Sequence, residues 1–244
     1  MTTDALLSAE VGEGVLLLTL NRPAQRNAID LELCDRLSAA LADFRDDRRW
    51  RVAILTGAAP AFCAGLDLKS FAAPGAPRHR VTELIHMVPG LGKPVIAAVN
   101  GAAYTGGLEL ALACDFILAA EEARFADTHA KIGALSGSGM GSRLPYAVGP
   151  RFAKQMMLAC EPIDAATALR VGLVNELLPA DRLLPRAIAL AGAIAGHDPA
   201  LIRIARDVVD RGSAATLAEA IAIESEALAT RKAEGAMRWE AKPA

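Results

Sequence analysis

Aromatic residues are scarce in this chain, 4% of 244, so its core must be assembled mainly from Ala, Leu, Val and Ile. Cysteine is thin as well. Cys34, Cys63, Cys114 and Cys160 stand far apart, with neither C-x-x-C pairing nor metal-ligand spacing. A disulfide framework and a structural zinc site are therefore not expected, and the four read as reduced, mostly buried thiols. Neither sign of charge dominates: 26 Lys and Arg face 28 Asp and Glu, for a formal net charge of −2. That balance gives no electrostatic reason to expect nucleic acid or an anionic membrane as partner. No uncharged apolar run approaches the ~18 residues needed to span a bilayer. The start, Met1-Thr-Thr-Asp4, shows neither a basic region followed by an apolar core nor an Arg- and Ser-rich amphipathic pattern, so no targeting leader is expected. No G-x-G-x-x-G follows the first strand, which argues against a dinucleotide oxidoreductase. A soluble, cytoplasmic protein is the expectation.

With 53% hydrophobic and 22% charged residues, the chain has a globular composition. Its length suits one large domain or a core with an appendage. Leu6 to Val11 and Val15 to Leu20 flank Gly12-Glu13-Gly14 and predict an opening hairpin, stopped by Asn21-Arg22-Pro23. Leu33, Leu37, Ala40, Leu41 and Phe44 recur at helical spacing behind Asp30, a plausible N-cap. A strand over Val52–Thr56, a long loop from Gly57 to Phe71 and a helix over Arg78–Met87 follow. Strands alternate with helices in this half, which predicts an α/β fold with parallel strands. Beyond Pro150 the pattern turns helical, with one strand over Val174–Leu178. The division expected is a core over 1–180 and a helical region over 181–244.

The central stretch runs from Pro94 to Asp115. Val95 to Val99 is a continuous apolar run and predicts a strand buried on both faces. Asn100-Gly101 turns the chain, and Gly106-Gly107 opens a helix. A glycine pair at a helix start lets a ligand approach N–H groups that have no intrahelical partner, at the positive end of the helix dipole. An oxygen that becomes anionic during a reaction is stabilised at such a place. Glu109 stands alone among Leu108, Leu110, Ala111 and Leu112. A carboxylate there must be paired, protonated or used, because burial otherwise costs too much.

Asn100-Gly-Ala-Ala-Tyr-Thr-Gly-Gly-Leu-Glu109 with Cys114-Asp115, Ala61-Phe-Cys-Ala-Gly-Leu-Asp-Leu-Lys69, and Asn21-Arg-Pro with Asn27-Ala28 together resemble the signature of the enoyl-CoA hydratase/isomerase (crotonase) superfamily. The resemblance runs from about Val11 to about Glu234. Periodicity alone does not choose between a doubly wound sheet and a coil of ββα turns. The resemblance implies the latter: a right-handed ββα spiral core with an α-helical C-terminal trimerisation region, giving a homotrimer or a dimer of trimers. It also implies an acyl-CoA thioester as substrate, with coenzyme A carried by the substrate, no separate cofactor and no metal.

The same resemblance assigns roles. The backbone N–H groups of Leu66 and Gly106 would hold the thioester carbonyl oxygen, with Gly65 curving the chain so that the first points into a cleft. Glu109 matches one of the two glutamates of the hydratases. The second falls at His129, inside Phe125-Ala-Asp-Thr-His-Ala-Lys-Ile-Gly133, which keeps a proton-transfer group but changes its charge and reach. Asp127 and Thr128 are candidates to orient the ring. Ala64, Gly65, Asp67 and Leu68 border the expected coenzyme A path, and Arg22, Arg26 and Lys69 offer positive charge for its phosphates. Gly133 to Gly141 would border the acyl pocket. Enoyl-CoA hydration is the leading expectation. Enoyl-CoA isomerisation, acyl-CoA hydrolysis or decarboxylation, and acyl-CoA binding without turnover are the alternatives.

Overall fold

The computed structural model describes residues 4–235. The predicted hairpin forms from β1 (Leu6–Gly12) and β2 (Val15–Leu20), paired antiparallel, with Gly14 at φ +72° in the turn. The other strands of this sheet are β3 (Val52–Gly57), β5 (Val95–Val99), β7 (Phe116–Ala120) and β10 (Glu176–Leu178), in the order β1-β2-β3-β5-β7-β10. From β2 onward every neighbouring pair is parallel.

A second, four-stranded sheet was not legible in the sequence. It comprises β4 (Ala61–Cys63), β6 (Ala102–Tyr104), β8 (Arg124–Ala126) and β9 (Ile163–Asp164), in that order. These strands are two or three residues long, too short for alternation to show. β4 lies inside the stretch read as one long loop. Each turn of the chain lays a strand in the large sheet, a short strand in the small one, and then a helix. The helices are α2 (His79–Met87) after β4, α3 (Gly106–Ala113) after β6 and α4 (Met140–Val148) after β8. This is the ββα spiral with parallel strands.

Residue choice explains why the elements form where they do. α1 (Leu31–Asp46) is capped by Asp30, whose carboxylate accepts the Leu33 N–H at 2.8 Å. Lys93 Nζ donates to the carbonyls of Phe44 and Asp47 at the other end, at 2.7 and 2.8 Å, where a cation complements the helix dipole. Asn27, wholly buried at φ +56°, donates to the carbonyls of Ala58 and Ala61 and accepts the Arg22 N–H. Asparagine tolerates that left-handed conformation and brings both donors and an acceptor, so one side chain ties three loops.

The large sheet is buried on both faces. Ala53 and Leu55 of β3 face the core formed with α1 to α4, whereas Val52 and Ile54 face Leu183, Ala187 and Ala191 of α7 (Ala180–Ala195). The domain boundary expected at 180/181 is corrected accordingly: the first compact unit ends at Gly196, because α7 forms that second core layer. Amphipathic spacing in α7 resembles that of the later helices, and periodicity does not say which surface a helix covers. The second unit begins at His197 and holds α8 (Pro199–Ser213) and α9 (Leu217–Ala233). An Arg231–Asp198 ion pair joins these helices, and a Thr216–Glu219 capping box starts α9. Positions 236–244 of the expected helical region lie outside the described residues. Among the described residues no single helix is long and apolar enough to cross a membrane.

The contact between α3 and β4 leaves no room for a side chain at Gly107, where a Cβ would stand 2.1 Å from the Cys63 carbonyl oxygen. Alanine is the better helix former by about 1 kcal/mol, yet overpacking against backbone costs about 3 kcal/mol, so the clash wins. Gly107→Ala is expected to lower stability by about 2 kcal/mol in thermal or urea unfolding. Gly90→Ala, where nothing lies within 4 Å, should stay within about 0.5 kcal/mol of the parent.

Candidate active site

Two backbone turns meet beside α3. After β4 the chain bends at Gly65, φ +97°, where a Cβ would sit 3.1 Å from the Tyr104 carbonyl oxygen and 3.2 Å from the Gly106 nitrogen. Conformation and closeness both demand glycine here. Gly65 O accepts the Ile29 N–H and Ile29 O accepts the Asp67 N–H, at 2.8 and 2.9 Å. This bridge uses residues 65 and 67, so the N–H between them, on Leu66, is directed to the other side. The Leu66 nitrogen lies 3.7 Å from where a Cβ on Gly106 would stand. Among the described residues, neither the Leu66 nor the Gly106 N–H has a hydrogen-bond acceptor.

Thr105 precedes α3 at φ +53°, ψ −114°, a strained conformation for a β-branched residue. Its surroundings hold it there. Its N–H donates to Ala126 O at 2.8 Å, its Oγ1 lies 2.5 Å from Thr128 Oγ1, and the Thr105 Oγ1 also accepts the Thr128 N–H at 3.3 Å.

One turn into α3, Glu109 is 2% exposed. Its Oε1 accepts the Ser136 hydroxyl and the N–H groups of Ser138 and Met140, the latter two at 3.2 Å. Met140 opens α4, so this oxygen also sits at the positive end of a helix dipole. The carboxylate is thus paired, one of the three outcomes the sequence allowed. Its Oε2 is 3.9 Å from His129 Nε2. On the other side of the ring, Nδ1 is 2.6 Å from Oδ1 of Asp127, which also accepts the His129 N–H at 3.1 Å. Asp127 is 2% exposed, so it faces protein and not bulk solvent. The Asp127 hydrogen bond raises the His129 pKa above its ordinary value. Burial opposes this, and the charges of Asp127 and Glu109 add to it. Burial lowers the pKa of the Arg143 guanidinium, which donates to Ser138 O at 2.8 Å, while the charge of Glu109 acts the other way.

These groups line a cavity of about 560 Å³. Ala64, Leu66 and Leu68 form one wall, and Glu109 and His129 form another, with Gly133 to Ser138 closing it. The expected positions of Ala64, Leu66, Leu68, Glu109 and His129 therefore converge, and Gly65 and Gly106 adjoin the lining residues Ala64, Leu66 and Thr105 along the chain. Arg22 and Asp67 require a correction. Arg22 Nη2 pairs with Asp30 at 2.8 Å and Asp67 at 3.0 Å, and Nη1 donates to Ala28 O. The guanidinium is spent bracing the loop and is not free for a phosphate. Burial pushes the Asp67 carboxyl up, but Arg22 and the N–H groups of Ser70 and Lys69 outweigh it and hold the pKa below its ordinary value. Arg26 and Lys69 are exposed on neighbouring loops.

Ser136 went unrecognised in the sequence. It lies in a run of small residues, and no periodicity links it to Glu109, 27 positions earlier. Only the first two residues of α4, Met140 and Gly141, fall in the small-residue stretch Gly133 to Gly141. Among the described residues no three His, Cys, Asp or Glu side chains are placed to hold a metal ion. Among the described residues, two amides without an acceptor lie beside a cavity lined by Glu109 and His129, an arrangement that can hold an oxyanion and move protons at adjacent atoms.

Residues 10–240 match the enoyl-CoA hydratase/isomerase family. The chain belongs to that family. A probable enoyl-CoA hydratase of Rhizobium meliloti is 37% identical over 227 residues, 92% of this chain and 88% of the relative. A crystal structure of enoyl-CoA hydratase from Bacillus anthracis superposes with a TM-score of 0.88 at 36% identity, covering 92% of this chain and 89% of that one. A monofunctional enoyl-CoA isomerase from M. smegmatis superposes at 0.79 with 35% identity, covering 89% and 98%. Membership thus spans hydratases and isomerases on one scaffold.

Removing the Arg22 side chain tests whether it braces the loop. Arg22→Ala is expected to cost about 2 kcal/mol at neutral pH. Asp67 is depressed in the fold, so its contribution is present above its ordinary value and is lost as pH falls through the folded one. Urea unfolding of parent and variant should therefore differ most at neutral pH, and the gap should narrow in acid.

Proposed function

We propose that this protein adds water across the 2,3 double bond of an enoyl-CoA thioester. What supports the reading is a cavity lined by Leu66, Glu109 and His129, with the Gly106 amide at the start of α3 next to Thr105 of that lining. The thioester oxygen sits between the amides, which bind it most strongly when it becomes an enolate. Each such donor is worth on the order of 3 kcal/mol in the transition state. Glu109 Oε2 takes a proton from water as the water oxygen bonds to Cβ, and His129 assists proton transfer at Cα. Ser136, Ser138 and Met140 leave only Oε2 free and so fix which oxygen acts.

Arg26 and Lys69 are the remaining candidates for the coenzyme A phosphates, and Ala64 and Leu68 for its pantetheine arm. Coenzyme A enters as part of the substrate, and no separate cofactor is needed. A trimer or dimer of trimers is in keeping with the exposed Leu217, Ile221 and Leu228 on α9.

Isomerisation is the second reading. One free carboxylate oxygen suffices to carry a proton between carbons without water, and the isomerase of M. smegmatis superposes on the chain. Purified protein with crotonyl-CoA and longer enoyl-CoA thioesters should bleach the enoyl absorbance and yield 3-hydroxyacyl-CoA. Glu109→Gln should slow this by on the order of 10²- to 10⁴-fold. No bleaching at any chain length, with 3-enoyl-CoA converted instead, would replace hydration by isomerisation.

A further inference from the structure

The His129 ring lies between two buried carboxylates, and they hold it differently. Asp127 makes a 2.6 Å contact to Nδ1 and also accepts the residue's own N–H, a short contact of the charge-assisted kind. Glu109 Oε2 stands 3.9 Å from Nε2, too far for a direct hydrogen bond. A water at ~2.8 Å from both atoms fits that gap. Among the described cations, Arg143 on α4 is tied to Ser138 O and Arg78, lining the same cavity, donates to Phe71 O. The charges that act on the ring are those of Asp127, in direct contact, and Glu109, across the gap.

On the hydratase reading, we propose that Asp127 is a positioning residue that fixes His129 as a cationic proton donor to Cα, so that hydration runs on a carboxylate–imidazolium pair. Water gives its proton to Glu109 Oε2 while its oxygen bonds to Cβ. The double-bond electrons move toward the thioester oxygen, held by the Leu66 and Gly106 amides. The Nε2 proton of His129 then forms the new C–H bond at Cα. Water has been added, Glu109 is protonated and the imidazole is neutral. After product leaves, the Glu109 proton returns to Nε2 across the 3.9 Å gap, which restores the starting state. A neutral ring with a bare Nε2 would be a second base beside Glu109 and could not supply that proton. The Asp127 contact raises the His129 pKa above its ordinary value, which favours the charged ring. Its contribution is complete below the ordinary value of ~6.5 and is lost as pH rises through the folded value.

The test uses the full chain with ¹⁵N-labelled histidine, with the His129 signal assigned among four histidines by its loss in His129→Gln. Both ring nitrogens should be protonated at pH 7, with a midpoint above that of free histidine. Asp127→Asn should move that midpoint down and shift the alkaline limb of the kcat profile for crotonyl-CoA to lower pH. At pH 8 it should reduce kcat on the order of 10-fold with little change in KM. If the variant fails to fold, the parent's NMR titration still decides. Hydration by a ring that is neutral at pH 7, or an alkaline limb unmoved in Asp127→Asn, overturns this proposal alone. The expected His129 titration without hydration of any enoyl-CoA overturns the hydratase reading instead.

Discussion

A carboxylate removed from water is the constraint on which the site depends. Glu109 is the one charged residue of α3, and its burial would be prohibitive without compensation. The donors on Oε1 come from the loop before α4 and from α4's first amide. One anion thus fixes three segments: α3, the 133–139 loop and α4. It also leaves a single oxygen exposed to the cavity. Stability and chemistry are served by different oxygens of the same group.

The small sheet does the corresponding work for the main chain. β4 and β6 are parallel neighbours, so the bends that follow them emerge side by side. That adjacency brings Gly65 within a methyl group's width of the Gly106 nitrogen. The Ile29 bridge takes up the polar groups on either side of Leu66 and leaves its N–H over. The two amides need no side chain of their own, so leucine at position 66 is compatible with the arrangement.

Much of this was legible in the residues. The strand Val95–Val99, the Asp30 cap, the Gly106 helix start and the isolation of Glu109 follow from local patterns, which local physics generates. The short strands did not show because three residues carry no period. The role of Ser136 did not show because its partner is distant in sequence. The α7 boundary was misplaced because an amphipathic stripe reports that a helix is covered, not by what. Arg22 looked available because sequence gives its charge but not the Asp30 and Asp67 carboxylates around it. Apart from the short strands, each of these misreadings concerns a contact with another segment of the chain.

The hydroxyl pair of Thr105 and Thr128 couples the main chain beneath Gly106 to the segment that bears His129. Gly106 and His129 therefore stand on one footing, and neither can be re-aimed independently. A redesign that introduced a carboxylate at position 129 would be felt at the strained peptide of Thr105, so that both threonines would have to be refitted together with it.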